Sequence, residues 1–306
     1  MLPILDFKLT DTEDPARMEA FARKLGAACR DVGFFYLRRH GLEPQFSEMF
    51  AAARSFFDLP EDEKAKLAIS AVSNNHGYVG LRTEALDPGK SIDNKEAFNI
   101  RLGPRGEDKI DLWPVLKGFR ETMGRYFADI SNLGRGVHRA FALDLGLPAD
   151  FFESRLDDPM STLRLLHYPP AAPQSRDAFG AGEHTDYGNL TILLTDDAGG
   201  LQARRRDGTW IDVPYVKDAF VCNIGDCLMR WTNDVYVSTP HRVVNPAGRD
   251  RMSIAFFLDP NPDALVEPVP SCVTHNNPAK YPAIRADAYL ASRFAATYGF
   301  QARSHA

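Results

Sequence analysis

Cysteine is scarce in this chain of 306 residues. There are four (Cys29, Cys222, Cys227 and Cys272), and none forms a CxxC pair. That excludes a disulfide framework and the zinc-ribbon and thioredoxin-like motifs, and it fits a reducing, cytoplasmic setting. Long apolar runs are also missing: nowhere do about 18 apolar residues follow one another, so no membrane span is expected. The first residues reach Asp6 too soon, and without a basic start, to read as a signal peptide, so secretion is not expected either. Nor is there a basic excess. With 36 Lys+Arg against 41 Asp+Glu the net charge is −5, so no electrostatic footprint for nucleic acid or an anionic membrane is visible. Repeats and low-complexity tracts are absent too. What remains is an ordinary soluble composition, 44% hydrophobic and 25% charged, which rules out disorder and collagen-like repeats and points to a small-molecule partner. Composition says nothing about oligomeric state. The chain also has eight histidines, and the question is which of them do chemistry.

The first half reads as helices with short strands. Asp14-Pro15 offers an N-cap and a proline at the first helical position. Met18, Phe21, Leu25, Ala28 and Val32 then recur at helical spacing up to Gly33. A short strand at 34–37 follows, and a second helix marked by Phe46, Met49, Phe50, Ala53 and Phe57 stops near Pro60. Residues 70–112 lack periodicity and read as a long loop, a candidate lid. Met123, Phe127, Ile130, Leu133, Val137, Phe141 and Leu145 mark a long central helix. Beyond residue 160 the pattern changes to short β runs at 162–168, 189–195, 201–205, 209–213, 220–224, 235–244 and 251–258. Asp207-Gly208 is the hairpin signal between two of them. Many short, evenly spaced strands predict an antiparallel sandwich or jelly roll, and a helix at 287–298 closes the chain.

Within the β region, His184-Thr185-Asp186 precedes one strand, and His241 falls in or at the end of another. In extended chain, residues i and i+2 point the same way, so the His184 imidazole and the Asp186 carboxylate can bind one metal together. A third ligand from a second strand would leave three positions open, as in non-haem Fe(II) oxygenases. By itself the His-x-Asp spacing is weak, because eight histidines and 41 acidic residues produce such a pair by chance. In 251–258, alternation sets Arg251, Ser253, Ala255 and Phe257 against a wholly apolar face of Met252, Ile254, Phe256 and Leu258. The apolar face should pack under helices, which turns Arg251 and Ser253 inward, where a buried guanidinium needs an anion. That anion is either a ligand carboxylate or a structural Asp or Glu.

Taken together, His184-x-Asp186, His241 and Arg251-x-Ser253 resemble the isopenicillin-N-synthase-like branch of the 2-oxoglutarate and Fe(II)-dependent dioxygenases. Gly33-Phe34-Phe35-Tyr36 with His40-Gly41, Phe56 to Pro60, Lys95 to Asn99, Gly199 to Gln202, Asn223 to Asp226 and His241 to Pro246 are similar to the family's pattern too, so the resemblance spans nearly the whole chain. It implies an α+β fold, a double-stranded β-helix (jelly-roll) core flanked by α-helices. Residues 1–115 would form the N-terminal region, 116–160 the long helix and connection, 161–260 the core and 261–306 the C-terminal helix of one integrated unit. It also implies Fe(II) on His184, Asp186 and His241, with 2-oxoglutarate and O2 as cosubstrates and Arg251 and Ser253 at the far carboxylate. Oxidative decarboxylation to succinate and CO2 would then drive hydroxylation, desaturation or cyclisation of a small molecule.

One departure concerns the strand before the His-x-Asp motif, where plant members carry Asn-x-Tyr. Tyr168 matches and remains a cosubstrate candidate, but Leu166 replaces the asparagine. Tyr187, Phe98, Asn99, Trp231 and His167 are candidate substrate-pocket residues. The resemblance also covers oxidases that use the same ligands without oxoglutarate and an ethylene-forming type of reaction. A metal-binding module without oxygenase activity is the reading from a different class.

Overall fold

A computed structural model describes residues 2–70, 73, 75–84, 92–102, 112–170, 179–245 and 248–298, the side chains of 294–298 excepted. After strand β1 (Ile4–Asp6) comes α1 (Pro15–Asp31), whose start follows from its sequence: the Asp14 carboxylate accepts from the Ala16 and Arg17 amides, and proline takes the first helical position. Gly33 ends it in a left-handed conformation at φ +69°. A side chain there would also meet the Val237 carbonyl at 2.0 Å, so both constraints require glycine. The chain continues through β2 (Phe34–Arg38), α2 (Phe46–Phe57), the short α3 (Glu61–Ala65), β3 (Gly77–Val79), β4 (Glu96–Ile100) and the long α4 (Phe119–Asp144). Then come β5 (Thr162–Tyr168), β6 (Phe179–His184), β7 (Leu190–Thr195), β8 (Leu201–Arg204), β9 (Trp210–Asp212) and β10 (Ala219–Ile224). The last elements are α5 (Asp226–Trp231), β11 (His241–Val244), β12 (Arg251–Leu258), the small pair β13 (Leu265–Val266) and β14 (Ile284–Arg285), and α6 (Ala286–Tyr298).

Two sheets form the jelly roll. The larger has eight strands in the order β1-β2-β10-β7-β12-β5-β4-β3, and the smaller has four in the order β6-β11-β8-β9. Alternation on β12 divides the interior: Met252, Ile254, Phe256 and Leu258 join the helices α1, α2 and α4 in one core, while Ala255 belongs to a second core shared by the inner faces of the two sheets. The cavity lies between those inner faces. Asp207-Gly208 makes the expected tight turn between β8 and β9, with Gly208 at φ +86°.

Three expectations need correction. The run expected at 235–244 is a strand only at His241–Val244, because Asn233 and Asp234, both at positive φ, turn the chain just before it. β6 carries no apolar run, yet it pairs with β11. Part of the loop expected at 70–112 is strand: β3 and β4 extend the large sheet, with β4 paired to β5. Charged residues hide β4 from a hydrophobicity reading. Glu96 is buried there because Lys64, Tyr78 and His167 all bond to it. The remainder of the segment read as a lid, 71–72, 74, 85–91 and 103–111, lies outside the described residues.

Candidate active site

Register brings His184 and His241 together. β6 and β11 pair with these two residues directly opposite one another, and their rings lie 4.3 Å apart. Two residues beyond His184, past the end of β6, Asp186 turns in beside them. Its Oδ1 is 3.9 Å from His184 Nε2 and 3.7 Å from His241 Nε2. One ligand atom from each of the three lies within 4.8 Å of the others, a spacing that can hold a metal ion. The supporting contacts select those atoms. His184 Nδ1 bonds the Gly182 carbonyl at 2.7 Å and His241 Nδ1 the Thr239 carbonyl at 3.1 Å. A carbonyl only accepts, so each Nδ1 carries the proton and each Nε2 lone pair faces the cluster. Asp186 Oδ2 accepts from the Thr191 hydroxyl at 2.5 Å and the Asn223 amide at 2.7 Å, and its Oδ1 is turned to the histidines. Burial pushes the His184 pKa down and His241 adds to that, which keeps the ring neutral. Burial alone would raise the Asp186 carboxyl, but His241, His184, Asn223 and Thr191 outweigh it and keep the group ionised. Two imidazole Nε2 atoms and a carboxylate suit a divalent cation.

Arg251 points into the same cavity from the start of β12 and is 1% exposed. Its Nε donates to the Gly199 carbonyl at 2.9 Å and its Nη1 to Ser253 Oγ at 3.2 Å, and the guanidinium lies 4.6 Å from the centre of the Tyr168 ring. No carboxylate of a described residue pairs with it. The structural Asp or Glu that a sequence reading allows as its partner is therefore absent among the described residues. Leu166, opposite Ser253, lines the cavity as an apolar contact and supplies no replacement for the asparagine hydrogen bond.

Alternation on β5 accounts for the rest of this wall. Thr162, Arg164, Leu166 and Tyr168 face the cavity, while Leu163 and Leu165 face the helical core. His167 points the same way as those leucines. It packs on Phe57 and bonds Glu96 and Asp250, so it does not line the cavity. Phe98 is removed from the pocket for the same reason, since it alternates out of phase with Asn99 on β4 and packs against Phe56 in the core with the rings tilted. Trp231 is not on a strand at all. It ends α5, fully buried against Phe152. Asn99 and Tyr187 do line the cavity.

Several cavity residues escape a motif reading. Lys95, Arg164, Thr162, Asn75 and Asp259 also line the space. Lys95 ion-pairs with Asp93, and Arg164 Nη2 donates to Glu84 at 2.5 Å. Extending the inward rows of β5 and β12 by two residues at a time would have found Thr162, Arg164 and Asp259. For Thr191, which clamps Asp186, the sequence carries no signal beyond its inward position on β7.

Comparison with known proteins agrees with this geometry. Residues 159–260 match the 2OG-Fe(II) oxygenase superfamily, and residues 2–116 match the family described as non-haem dioxygenase in morphine synthesis N-terminal. The chain is 33% identical to the 2-oxoglutarate-Fe(II) type oxidoreductase hxnY of Emericella nidulans, over 97% of this chain and 90% of that one. It is 34% identical to a homoarginine-6-hydroxylase of Oryza sativa, over 89% of each. A full-length Neurospora crassa protein, solved in complex with alpha-KG and thymine, superposes with a TM-score of 0.87 at 32% identity, covering 96% of both chains. Near-complete coverage at that identity, over a jelly roll whose cavity holds a His-Asp-His cluster, makes the chain a member of the 2-oxoglutarate- and Fe(II)-dependent oxygenase family.

Proposed function

We propose that His184, Asp186 and His241 hold the Fe(II), and that Arg251, with Ser253 and Tyr168, receives the far carboxylate of 2-oxoglutarate. The observation that carries this reading is a fully buried guanidinium, with no acidic partner among the described residues, in the cavity that holds the His-Asp-His cluster. Such a charge is stable only if an anion meets it. Bound iron supplies the oxygen chemistry and the oxidative decarboxylation of 2-oxoglutarate to succinate and CO2. The chain contributes the rest. Gly182 and Thr239 carbonyls orient the imidazoles, Thr191 and Asn223 fix the carboxylate, and the apolar side chains Leu166, Leu193, Leu201, Val243 and Phe257 exclude water from the chamber. The substrate is a small molecule that is hydroxylated, desaturated or cyclised, in keeping with the thymine complex of one structural neighbour.

The test is succinate formation from 2-oxoglutarate. We expect it to require Fe(II) and O2 and to vanish in His184→Ala and Asp186→Ala while both variants stay folded. Oxygen uptake without succinate would instead assign Arg251 to a substrate carboxylate, and full activity in either variant would reject the ligand set. Four buried cysteines, none in a disulfide, support a reducing, cytoplasmic location. The large sheet draws strands from both 1–115 and 161–260, which supports reading the segments as one unit.

A further inference from the structure

The two halves of the cavity differ in what they lack. Around Arg251 an anion is missing. Elsewhere on the lining the cations are already matched, Lys95 by Asp93 and Arg164 by Glu84, and the groups left over are acceptors. Asp259 is 8% exposed, faces the cavity and takes no hydrogen bond or ion pair from any described residue. Burial raises its carboxyl, Asp186 adds to that rise, and the opposing attraction of Arg101 does not cancel it. Asn99 is 1% exposed and faces the same cavity. Its Nδ2 donates to Asn75 Oδ1 at 3.0 Å, but its Oδ1 has no partner among the described residues.

Both positions are built into the fold. Asp259 follows β12 in the inward row of Arg251, Ser253, Ala255 and Phe257. It lies toward the iron ligands, since Thr191, which bonds Asp186, pairs across to Phe257. Room for its carboxyl exists only because residue 188 is glycine, where a Cβ would fall 1.7 Å from Asp259 Oδ1. Asn99 stands opposite Arg164 on the neighbouring strand. Two buried acceptors without donors cost free energy unless a ligand supplies the donors.

We propose that this part of the cavity is a substrate subsite for a nitrogen group that donates hydrogen bonds, an amine, guanidine or N–H heterocycle, held by the Asp259 carboxylate, while the Asn99 amide oxygen, level with Ala255 on another strand, is open to a separate donor of the same ligand. The inference rests on the oxygenase reading above and adds the substrate class. A carboxylate substrate finds no unmatched lining cation in this part of the cavity and is repelled by Asp259 wherever that group is ionised.

The experiment uses the Fe(II)- and 2-oxoglutarate-loaded protein without oxygen. Agmatine, thymine and phenylacetate, the last a carboxylate without an N–H group, are titrated by calorimetry into the wild type and into Asp259→Asn. We expect at least one of the two nitrogen probes to bind more tightly than phenylacetate. Asp259→Asn should weaken that probe by roughly 10- to 100-fold, the weight of a charge-assisted hydrogen bond. An unchanged thermal shift with 2-oxoglutarate certifies that the variant is folded. If the variant does not fold, the ranking of probes on the wild type decides alone. Tighter binding of phenylacetate, no binding of either nitrogen probe at millimolar concentration, or a loss below tenfold overturns the subsite. Succinate formation by the wild type is measured alongside. Its absence rejects the oxygenase reading, whereas its presence with a failed titration rejects only the subsite.

Discussion

Arg251→Met separates binding from folding. The wild-type guanidinium is buried, bonded among the described residues to Gly199 O and Ser253 Oγ, and set over the Tyr168 ring. Removing it from the ligand-free protein deletes those contacts, but it also removes a buried charge that has no counter-ion among the described residues, and the two effects offset to within about 1 kcal/mol. The ligand-bound protein has no such compensation. Breaking a buried, hydrogen-bonded charge pair costs about 2–5 kcal/mol, or roughly 30- to 5000-fold in the dissociation constant of 2-oxoglutarate. Thermal unfolding shows both effects at once. At a ligand concentration of about 100 times the wild-type Kd, binding stabilises the wild type by about 2.7 kcal/mol; after a 30-fold loss of affinity, less than about 1 kcal/mol remains. Calorimetric titration of 2-oxoglutarate into the Fe(II) protein gives the affinity directly, with metal affinity as the control. An affinity within threefold of wild type refutes the carboxylate assignment. A ligand-free variant destabilised by more than about 4 kcal/mol makes Arg251 a structural residue instead.

Other perturbations test the surroundings. Thr191→Val deletes one of the two donors on Asp186 Oδ2. Fe(II) affinity should fall about tenfold or more, measured by competition with a chelator, and unchanged affinity would make the hydroxyl irrelevant to the metal. Glu96 is buried, which alone would raise its pKa, but bonds from His167, Lys64 and Tyr78 hold it at about 2, below its ordinary 4.5. Because the folded value is the lower one, its contribution is complete above the unfolded pKa and is lost as pH falls. Between pH 5 and pH 3 the loss is about 2 kcal/mol. Urea denaturation should show that drop in the wild type and a smaller one in Glu96→Gln, whereas equal slopes would remove Glu96 from the account. Gly26→Ala would set a Cβ 2.0 Å from Asp144 Oδ1, a carboxylate that also holds Arg30 and Tyr236. The expected cost is about 1–3 kcal/mol by denaturant melt, and a neutral result would mean that α1 and α4 shift apart freely.

Sequence reading reached the parts of this fold in which apolar periodicity and backbone structure agree. α1, α2, α4 and β12 follow because their buried faces are apolar and their ends carry proline, glycine or a capping aspartate. It failed at β4 and β6. β4 is buried along its whole length with a glutamate and an asparagine inside, and β6 is short and glycine-rich, so neither shows a period of two in hydrophobicity. Both are held by partners remote in sequence, Glu96 by Lys64 and His167, and β6 by β11. The site divides in the same way. His184, Asp186, His241, Arg251 and Ser253 were legible because together they resemble a family pattern, the His-x-Asp spacing being weak by itself. Trp231 and Phe98 were misplaced because a large aromatic near a motif carries no directional information until the phase of its element is known.

Phase is what ties cosubstrate to substrate. Arg251, Ser253, Ala255, Phe257 and Asp259 share one inward row, so the proposed anion anchor and the proposed nitrogen subsite are set by the register of a single strand. A slip by one residue would turn every member of that row into the helical core and bring Met252, Ile254, Phe256 and Leu258 into the cavity. The apolar packing of those four against the helices therefore guards the chemistry on the opposite face. It follows that Ile254→Ala should act on two observables together. Truncating this fully buried side chain should cost about 2–5 kcal/mol in stability. If the two faces are coupled through register, it should also weaken 2-oxoglutarate at Arg251, although Ile254 does not line the cavity. Loss of stability with 2-oxoglutarate affinity unchanged would show that the neighbouring strands β5 and β7, and not the apolar face, hold β12 in phase.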